Sequence, residues 1–389
     1  MQRSERVMQR KEKSKRLQKT LLVIGFLLLI FFGRFIIDAI RYSPVLIGLL
    51  INRQIDLKKA GNTRVNILLL GIGGGKHDGP NLTDTIIFAS LDTASASGRA
   101  TLVSLPRDLW VPDLKAKINT AYAFGEDKQT GGGLILAKAT VGKILNQQID
   151  YGIRIDFAGF VKAVDMIGGL DLRVERTFDD YEYPISGKEA DDCGFKDEEF
   201  QKRATDAAQL DAFPCRYEHL HFAAGNQHMD GETALRFVRS RHAEGQEGSD
   251  FARSQRQEKV IAAFKDKVFS VGTLLNPIKL NSLYDVFKGS IDTDIKQNEY
   301  DDFIRLAEKM RQGTITTGII DTGDEGAGRN GFLMNPPIDQ GDQDYGLQWV
   351  LIPTAGNGNF SKIQSYIACV ITTHESCLSS PTPPTPARK

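Results

Sequence analysis

Along the chain the first strong apolar block is Leu21–Gly33 (LLVIGFLLLIFFG), continued after Arg34 by Phe35, Ile36 and Ile37. As a helix, residues 20–40 span about 30 Å, the thickness of a bilayer core. An uncleaved anchor is the expectation. A cleaved signal peptide is the rival, because an apolar run of this length also suits its core, but no small-x-small cleavage site follows. Beyond residue 63 the apolar runs shorten. Val65–Leu70, Thr85–Leu91 and Thr101–Leu105 read as strands, the last stopped by Pro106. Leu134–Leu145 and Phe157–Ile167 have helical spacing, and Leu170–Val174 reads as a strand. Gly231–Arg241 and Phe251–Phe269 read as helices, Tyr345–Ile352 as a strand, and Ser361–Ile371 as a short, half-apolar segment. Strands alternating with helices predict an α/β fold of mixed α+β layers, a central sheet flanked by helices.

The polar stretches divide the rest. Residues 175–222 are rich in Asp, Glu, Tyr and Phe, hold two cysteines and lack a sustained period, so a disulfide-held loop insertion is expected. Residues 321–346 read as a loop and 376–389 as a disordered Pro/Thr tail. The expected organisation is a basic tail (1–19), a transmembrane anchor (20–40) and a connector (41–63). A main domain (64–320, with the 175–222 insertion), a C-terminal extension (321–375) and the tail follow.

Charge sharpens this picture. The 389 residues carry 49 basic and 49 acidic groups, which argues against a globally basic nucleic-acid binder. The balance is uneven. Residues 1–19 hold eight basic and two acidic side chains, so the remainder carries a net −6. The positive-inside rule places the tail in the cytoplasm and everything after about residue 41 outside the cell. There Cys193, Cys215, Cys369 and Cys377 can form disulfides, and of three possible pairings the local one, 193–215 and 369–377, is expected; free thiols are the alternative.

The chemistry-bearing residues cluster. Arg107 and Asp108 follow a strand end. Asp230 opens a capped helix leading to Arg236, Arg239, Arg241 and His242. Gly248-Ser249-Asp250 opens another, with Asp250 as N-cap and Arg253 and Arg256 on one face. Arginine forks match phosphate oxygens, so the group suits a pyrophosphate; surface salt bridges among the same residues are the plain alternative. Asp84 and Asp108 are oxygen donors of the kind Mg²⁺ takes. Gly71-Ile-Gly-Gly-Gly-Lys76 fails both the P-loop and the dinucleotide patterns, leaving either a backbone approach to a ligand or a surface turn. No nucleotide is expected. His219, His221 and His228 lack metalloprotease spacing, and no Gly-x-Ser-x-Gly occurs.

Taken in order, Asn66–Gly71, Thr83-Asp-Thr-Ile86, Ser104-Leu-Pro-Arg-Asp108, Lys117-Ile-Asn119-Thr-Ala-Tyr122, Met229–His242 and Gly248–Gln257 resemble the LytR–CpsA–Psr family over about residues 64–310. The resemblance implies a membrane-anchored phosphotransferase. It would move a glycopolymer from a polyprenyl-pyrophosphate carrier to a peptidoglycan sugar hydroxyl, assisted by Mg²⁺ or Mn²⁺, with its catalytic domain outside the cell. It implies that Arg107, Arg239, Arg241, Arg253 and Arg256 clamp the pyrophosphate and that Asp84 binds or borders the metal. Asp108 and Asp250 would position the arginines, metal or acceptor, and Lys117 and Asn119 would line the site. Gly73, Gly74 and Gly75 stand where many members carry Asp and Arg. Gly73 and Gly74 are then expected to approach substrate, and Asp78 or His77 to replace the missing metal ligand. A pyrophosphatase on the same lipid and a non-catalytic wall-polymer binder are the alternatives.

Overall fold

The computed structural model describes residues 55–59, 63–75, 79–95, 98–188, 190–206, 209–268, 290–311, 313–324, 329–337, 345–346, 348–373 and 377. The expected anchor, the basic tail, most of the connector, Asp78 and all but one residue of the C-terminal tail lie outside them. Among the described residues no helix is long and apolar enough to cross a membrane. These residues form two compact units. The smaller holds 55–56 and Lys296–Arg305; the larger holds the rest and every candidate site residue described.

In chain order the larger unit opens with strands β1 (Arg64–Ile72), β2 (Thr83–Asp92) and β3 (Arg99–Ser104). A two-strand hairpin, β4 (Trp110–Val111) and β5 (Ala116–Lys117), leads to helices α1 (Ala121–Lys128) and α2 (Gly133–Leu145). Next come β6 (Tyr151–Asp156), α3 (Phe157–Met166), β7 (Leu170–Val174) and β8 (Phe178–Pro184). Helices α4 (Asp197–Asp206) and α5 (Gln209–Ala212) precede β9 (Tyr217–Phe222), β10 (Gly225–Met229), α6 (Gly231–Arg239) and α7 (Asp250–Val268). The chain continues with β11 (Ile291–Thr293), the C-terminal part of a helix ending at Arg311, β12 (Thr314–Ile319) and a last helix, Ser361–Thr373.

Six strands form the main sheet in the order β11-β6-β1-β2-β3-β12. β1, β2 and β3 run antiparallel to their neighbours among themselves, while β6 joins β1 and β12 joins β3 in parallel. Alternation across the pleat explains the unbroken apolar runs. Leu68, Leu70, Ile86, Phe88 and Val103 enter a core with Leu134, Val141, Ile144 and the last helix's Ile363 and Ile367. The intervening Ile67, Ile87 and Leu102 are buried as well, so both faces are covered. A second core joins α3, β7, β8, β9, α6 and α7 through Val164, Leu170, Phe178, Phe222, Phe237 and Val260.

Two expectations change. The 175–222 stretch is not an irregular loop. Its ends pair as the antiparallel hairpin β8–β9, from Phe178↔Phe222 to Pro184↔Tyr217. Phe178 stacks on its cross-strand partner Phe222, and the periodicity is hidden because an aspartate, Asp180, is buried among the apolar positions while Tyr181 is exposed. Residues 345–352 do not form a strand of their own. Leu351 makes an isolated parallel bridge to Leu109, and only Ile352–Pro353 pairs further, with Leu333–Met334. Both expected disulfides are present, Cys193–Cys215 and Cys369–Cys377, and among the described residues no cysteine is free.

Candidate functional site

Topology brings four strand ends to one end of the sheet. β2 begins where β3 ends, since Ile87 faces Ser104, and Ile319 of parallel β12 faces Ser104 from the other side. β1 ends there too, with an irregularity between Gly71 and Ile72 that bends the chain away. Asp84 at the start of β2 and Arg107 just past β3 are therefore neighbours. The N-terminal turns of α7 close the space, and Asp84, Thr85, Arg107, Arg253, Ser254, Gln257 and Ile319 line a pocket.

The charged side chains form one connected group. Arg107 Nη1 donates to Asp84 Oδ1, and Arg107 Nε lies 3.5 Å from Asp108 Oδ2. Lys117 Nζ donates to Asp108 Oδ1 at 2.8 Å, its approach set by the β4–β5 pairing Trp110↔Lys117. Arg241 Nη2 is 3.8 Å from Asp108 Oδ2. Arg241 is lowered to about 10, first by burial and then by repulsion from Arg253 and Arg107, which Asp108 and Asp84 only partly offset. Among the described side chains three guanidiniums and one ammonium stand around two carboxylates. Positive charge gathered in a partly desolvated place is the condition under which an anion gains most.

Two buried polar atoms in this region have no hydrogen-bond partner, Arg107 Nε and Asn119 Oδ1. They are tied together, since the Asn119 N–H donates to the Arg107 carbonyl at 3.3 Å. A buried donor and acceptor left unpaired are costly unless a ligand supplies the missing partners.

Other expected members fall elsewhere. Arg256 is no part of the clamp. It is 3% exposed, and its Nε, Nη1 and Nη2 donate to the carbonyls of Phe237, Glu247 and Ser240 at 2.9, 2.8 and 2.7 Å. The i, i+3 spacing from Arg253 misleads here, because three residues turn a helix by about 300° and leave the two side chains some 60° apart around the axis. Arg239 lies over the Phe157 ring at 4.2 Å and donates to Tyr183 Oη at 3.2 Å. Gly74 serves the turn. Its N–H donates to the Pro80 carbonyl at 2.9 Å, its φ is +66°, and a Cβ there would stand 2.8 Å from Asp156 Cβ. Its backbone is therefore committed to packing on the N-cap of α3, and Gly73 precedes it in the same turn. Asp250 is the first residue of α7 rather than its cap; the Ser249 Oγ accepts from the Ala252 N–H at 3.2 Å. The Asp250 side chain and Asp78 lie outside what the structure describes. Asp230 does cap α6, accepting from the Thr233 N–H at 2.8 Å.

Two contributors escape sequence reading. Gln257 lines the pocket and donates to Thr85 Oγ1 at 3.3 Å. Asp180, fully buried on β8, accepts from Ser240 Oγ at 2.7 Å and from the Arg241 and His242 N–H groups at 3.1 and 3.3 Å. The 175–222 segment thereby holds the backbone that presents Arg241. An Asp-Asp pair in an acidic stretch carries no sign of this.

The histidines pair with carboxylates. His219 and His221 both bond Asp179 Oδ1, at 2.7 and 2.8 Å, and His228 bonds Asp171 at 2.7 Å, all exposed. Among the described residues the one trio of metal-type donors is Asp191, Cys193 and Cys215, two of which are joined in a disulfide.

One further titratable group sits on α7. Burial pushes the Glu258 carboxyl up to about 7 despite a hydrogen bond with Thr317, and its Oε1 has no partner. Its folded-state pKa exceeds the ordinary 4.5, so its contribution to stability is complete below that value and is lost as pH rises through about 7. Glu258→Gln, which does not ionise, is expected to exceed wild type by roughly 2 kcal/mol at pH 8 and to match it near pH 4. Urea midpoints at the two pH values measure this, and a variant less stable at pH 8 would contradict it.

Fold and site together define a mixed α/β protein with an anion-seeking arginine cluster at one end of its sheet. The LytR_cpsA_psr family model matches residues 50–327, and the chain belongs to that family. Among its relatives, the polyisoprenyl-teichoic acid–peptidoglycan teichoic acid transferase TagU of Bacillus cereus is 30% identical over 236 residues, covering 58% of this chain and 62% of that protein. The transferase of the same description named TagV, from Bacillus subtilis, is 26% identical over 255 residues, covering 64% and 53%. The matches thus span between half and two thirds of these relatives' lengths. The crystal structure of protein gbs0355 from Streptococcus agalactiae aligns with a TM-score of 0.51 at 20% identity, covering 79% of this chain and 87% of that one. That of B. subtilis TagV aligns at 0.50 and 22%, covering 80% and 97%. These likenesses show the shared fold.

Proposed function

We propose that this protein is a membrane-anchored phosphotransferase that moves a glycopolymer from a polyprenyl-pyrophosphate carrier to a sugar hydroxyl of peptidoglycan. The observation that carries the reading is a pocket lined by Asp84, Arg107 and Arg253, with Asp108 beside Arg107 drawing in Lys117 and Arg241. The names of the TagU and TagV relatives support the substrate class. Residues 20–40 would hold the domain at the outer membrane face, where a lipid-borne donor arrives.

The chemistry asks for position and charge more than for covalent help. The acceptor hydroxyl oxygen attacks the phosphorus that bears the glycan. The bond from that phosphorus to the bridging oxygen breaks, polyprenyl monophosphate leaves, and the hydroxyl proton passes to a site carboxylate or to water. The arginines neutralise charge gathering on the leaving group, and Arg107, a third exposed, lines the pocket. Asp84 holds Arg107 at the pocket wall, while Asp108 gathers Lys117 and Arg241 behind it.

The donor set fits Mg²⁺ or Mn²⁺ in a limited sense. Such ions take one or two carboxylates and complete an oxygen shell with phosphate and water, and Asp84 is a pocket-lining carboxylate. Asp84 would hold the ion, which when bound supplies further neutralisation of the pyrophosphate.

The test is a transfer assay with the full chain, a polyprenyl-pyrophosphate glycan labelled in the sugar, and peptidoglycan. A phosphodiester-linked product with polyprenyl monophosphate is expected. Release of free glycosyl phosphate would make the protein a pyrophosphatase instead. Binding of the donor without turnover would make it a wall-polymer binder.

A further inference from the structure

The C-terminal segment presents a surface that the arginine site does not use, and it lies beyond the residues matched by the family model. Residues 345–361 contain no Asp, Glu, Lys or Arg, in a chain that is 25% charged. This uncharged stretch is fastened to the loop that carries Arg107 and Asp108. The Leu351 N–H donates to the Asp108 carbonyl at 2.9 Å, and the Trp110 N–H donates to the Leu351 carbonyl at 2.8 Å. Farther along, a Cβ on Gly358 would stand 3.2 Å from Pro112, so the following turn rests on the same loop. Beneath it Trp110, Tyr345, Val350 and Ile352 make a small core, with the Trp110 and Tyr345 rings edge to face at 5.1 Å.

On this well-founded base Trp349 is 57% exposed. Leu351 and Leu109 pair in parallel, so Trp349, two residues upstream, lies toward the Arg107 end of the loop. Its neighbour Gln348, and Asn357 in the turn, are exposed amides. An indole face, uncharged amides and a shape held by backbone bonds together match a pyranose ring. The ring's C–H face stacks on the aromatic, and its hydroxyl and acetamido groups meet the amides. A phosphate polymer or nucleic acid would seek clustered cations; residues 345–361 carry none, and Lys362 at their end donates to Thr354 Oγ1 at 3.4 Å.

We infer that Trp349 and the uncharged segment around it form a binding subsite for a neutral glycan strand, placed to hold the acceptor beside the arginine site. That the glycan is the acceptor rests on the transferase reading; that it binds does not.

The chain's two tryptophans make the test direct, because Trp110 is 6% exposed and Trp349 is the accessible one. The full chain in detergent is titrated with a soluble β-1,4-linked N-acetylglucosamine hexamer. A saturable change in tryptophan emission is expected, retained in Trp110→Phe. By calorimetry Trp349→Ala weakens hexamer binding about tenfold or more, and Trp349→Tyr keeps it within about threefold. Inorganic pyrophosphate binding is unchanged in Trp349→Ala. Absence of a saturable signal, or equal hexamer affinity in Trp349→Ala, overturns the subsite. Loss of pyrophosphate binding in the wild type would count against the transferase reading and leave the hexamer result standing.

Discussion

Arg256→Ala is expected to destabilise the larger unit by about 3–5 kcal/mol, a large part of an ordinary domain's stability. The side chain spans three carbonyls on two segments, Phe237 and Ser240 at the end of α6 and Glu247 before α7, and it also lies over the Phe178 ring at 4.9 Å. Burial lowers its pKa to about 10, so it remains charged at neutral pH, with Glu247 Oε2 at 3.2 Å as its counter-ion. Removing it strands three carbonyl acceptors in poorly hydrated surroundings and leaves the Glu247 carboxylate only the more distant Arg176, at 3.8 Å. Arg256→Lys is expected to recover little, because a single ammonium lacks the planar fork that reaches all three. Thermal and denaturant unfolding followed by circular dichroism measure the loss. An Arg256→Ala protein as stable as wild type would return this residue to the clamp.

Arg253→Ala should do the opposite, leaving the fold intact and reducing transfer by about 10³-fold or more. Arg253 is half-buried at the pocket, and its charge is one of those depressing Arg241. Its removal relieves its repulsion of Arg241, so stability is expected to stay within about 1 kcal/mol of wild type. Transfer suffers because this charge is one of those that meet the leaving polyprenyl phosphate. Arg107→Ala is expected to match it in rate, with a further loss of order at Asp84, which Arg107 holds. The two activities are read in the transfer assay and the folds by unfolding midpoints. Full transfer by both variants would remove the arginines from the chemistry.

The contrast between Arg253 and Arg256 shows where reading the chain reaches its limit. Both arginines lie in one Arg-x-x-Arg run, and side-chain type and spacing alone make them alike. They differ because α7 packs on α6, so of two adjacent faces of the helix one meets protein carbonyls and the other the pocket. Gly74 is a similar case. A glycine turn after a strand suits a ligand or a packed neighbour equally, and Asp156, far along the chain, decides for the neighbour.

The sequence by itself determined what depends on local order. The apolar runs specified β1, β2 and β3, the periodic segments specified α2, α3, α6 and α7, and Asp230 marked a helix start. Ordered motifs also identified the family, since they name residues whose roles are carried by their type. Tertiary structure alone decided which charges share a site. Asp180 reaches Arg241 across sixty-one residues, and Leu351 fastens the Asp108 loop from beyond the matched domain. Hydrogen bonds and charge pairs act over a few ångströms whatever the separation along the chain, so only the folded arrangement of strand ends distinguishes an arginine that awaits substrate from one that holds the protein together.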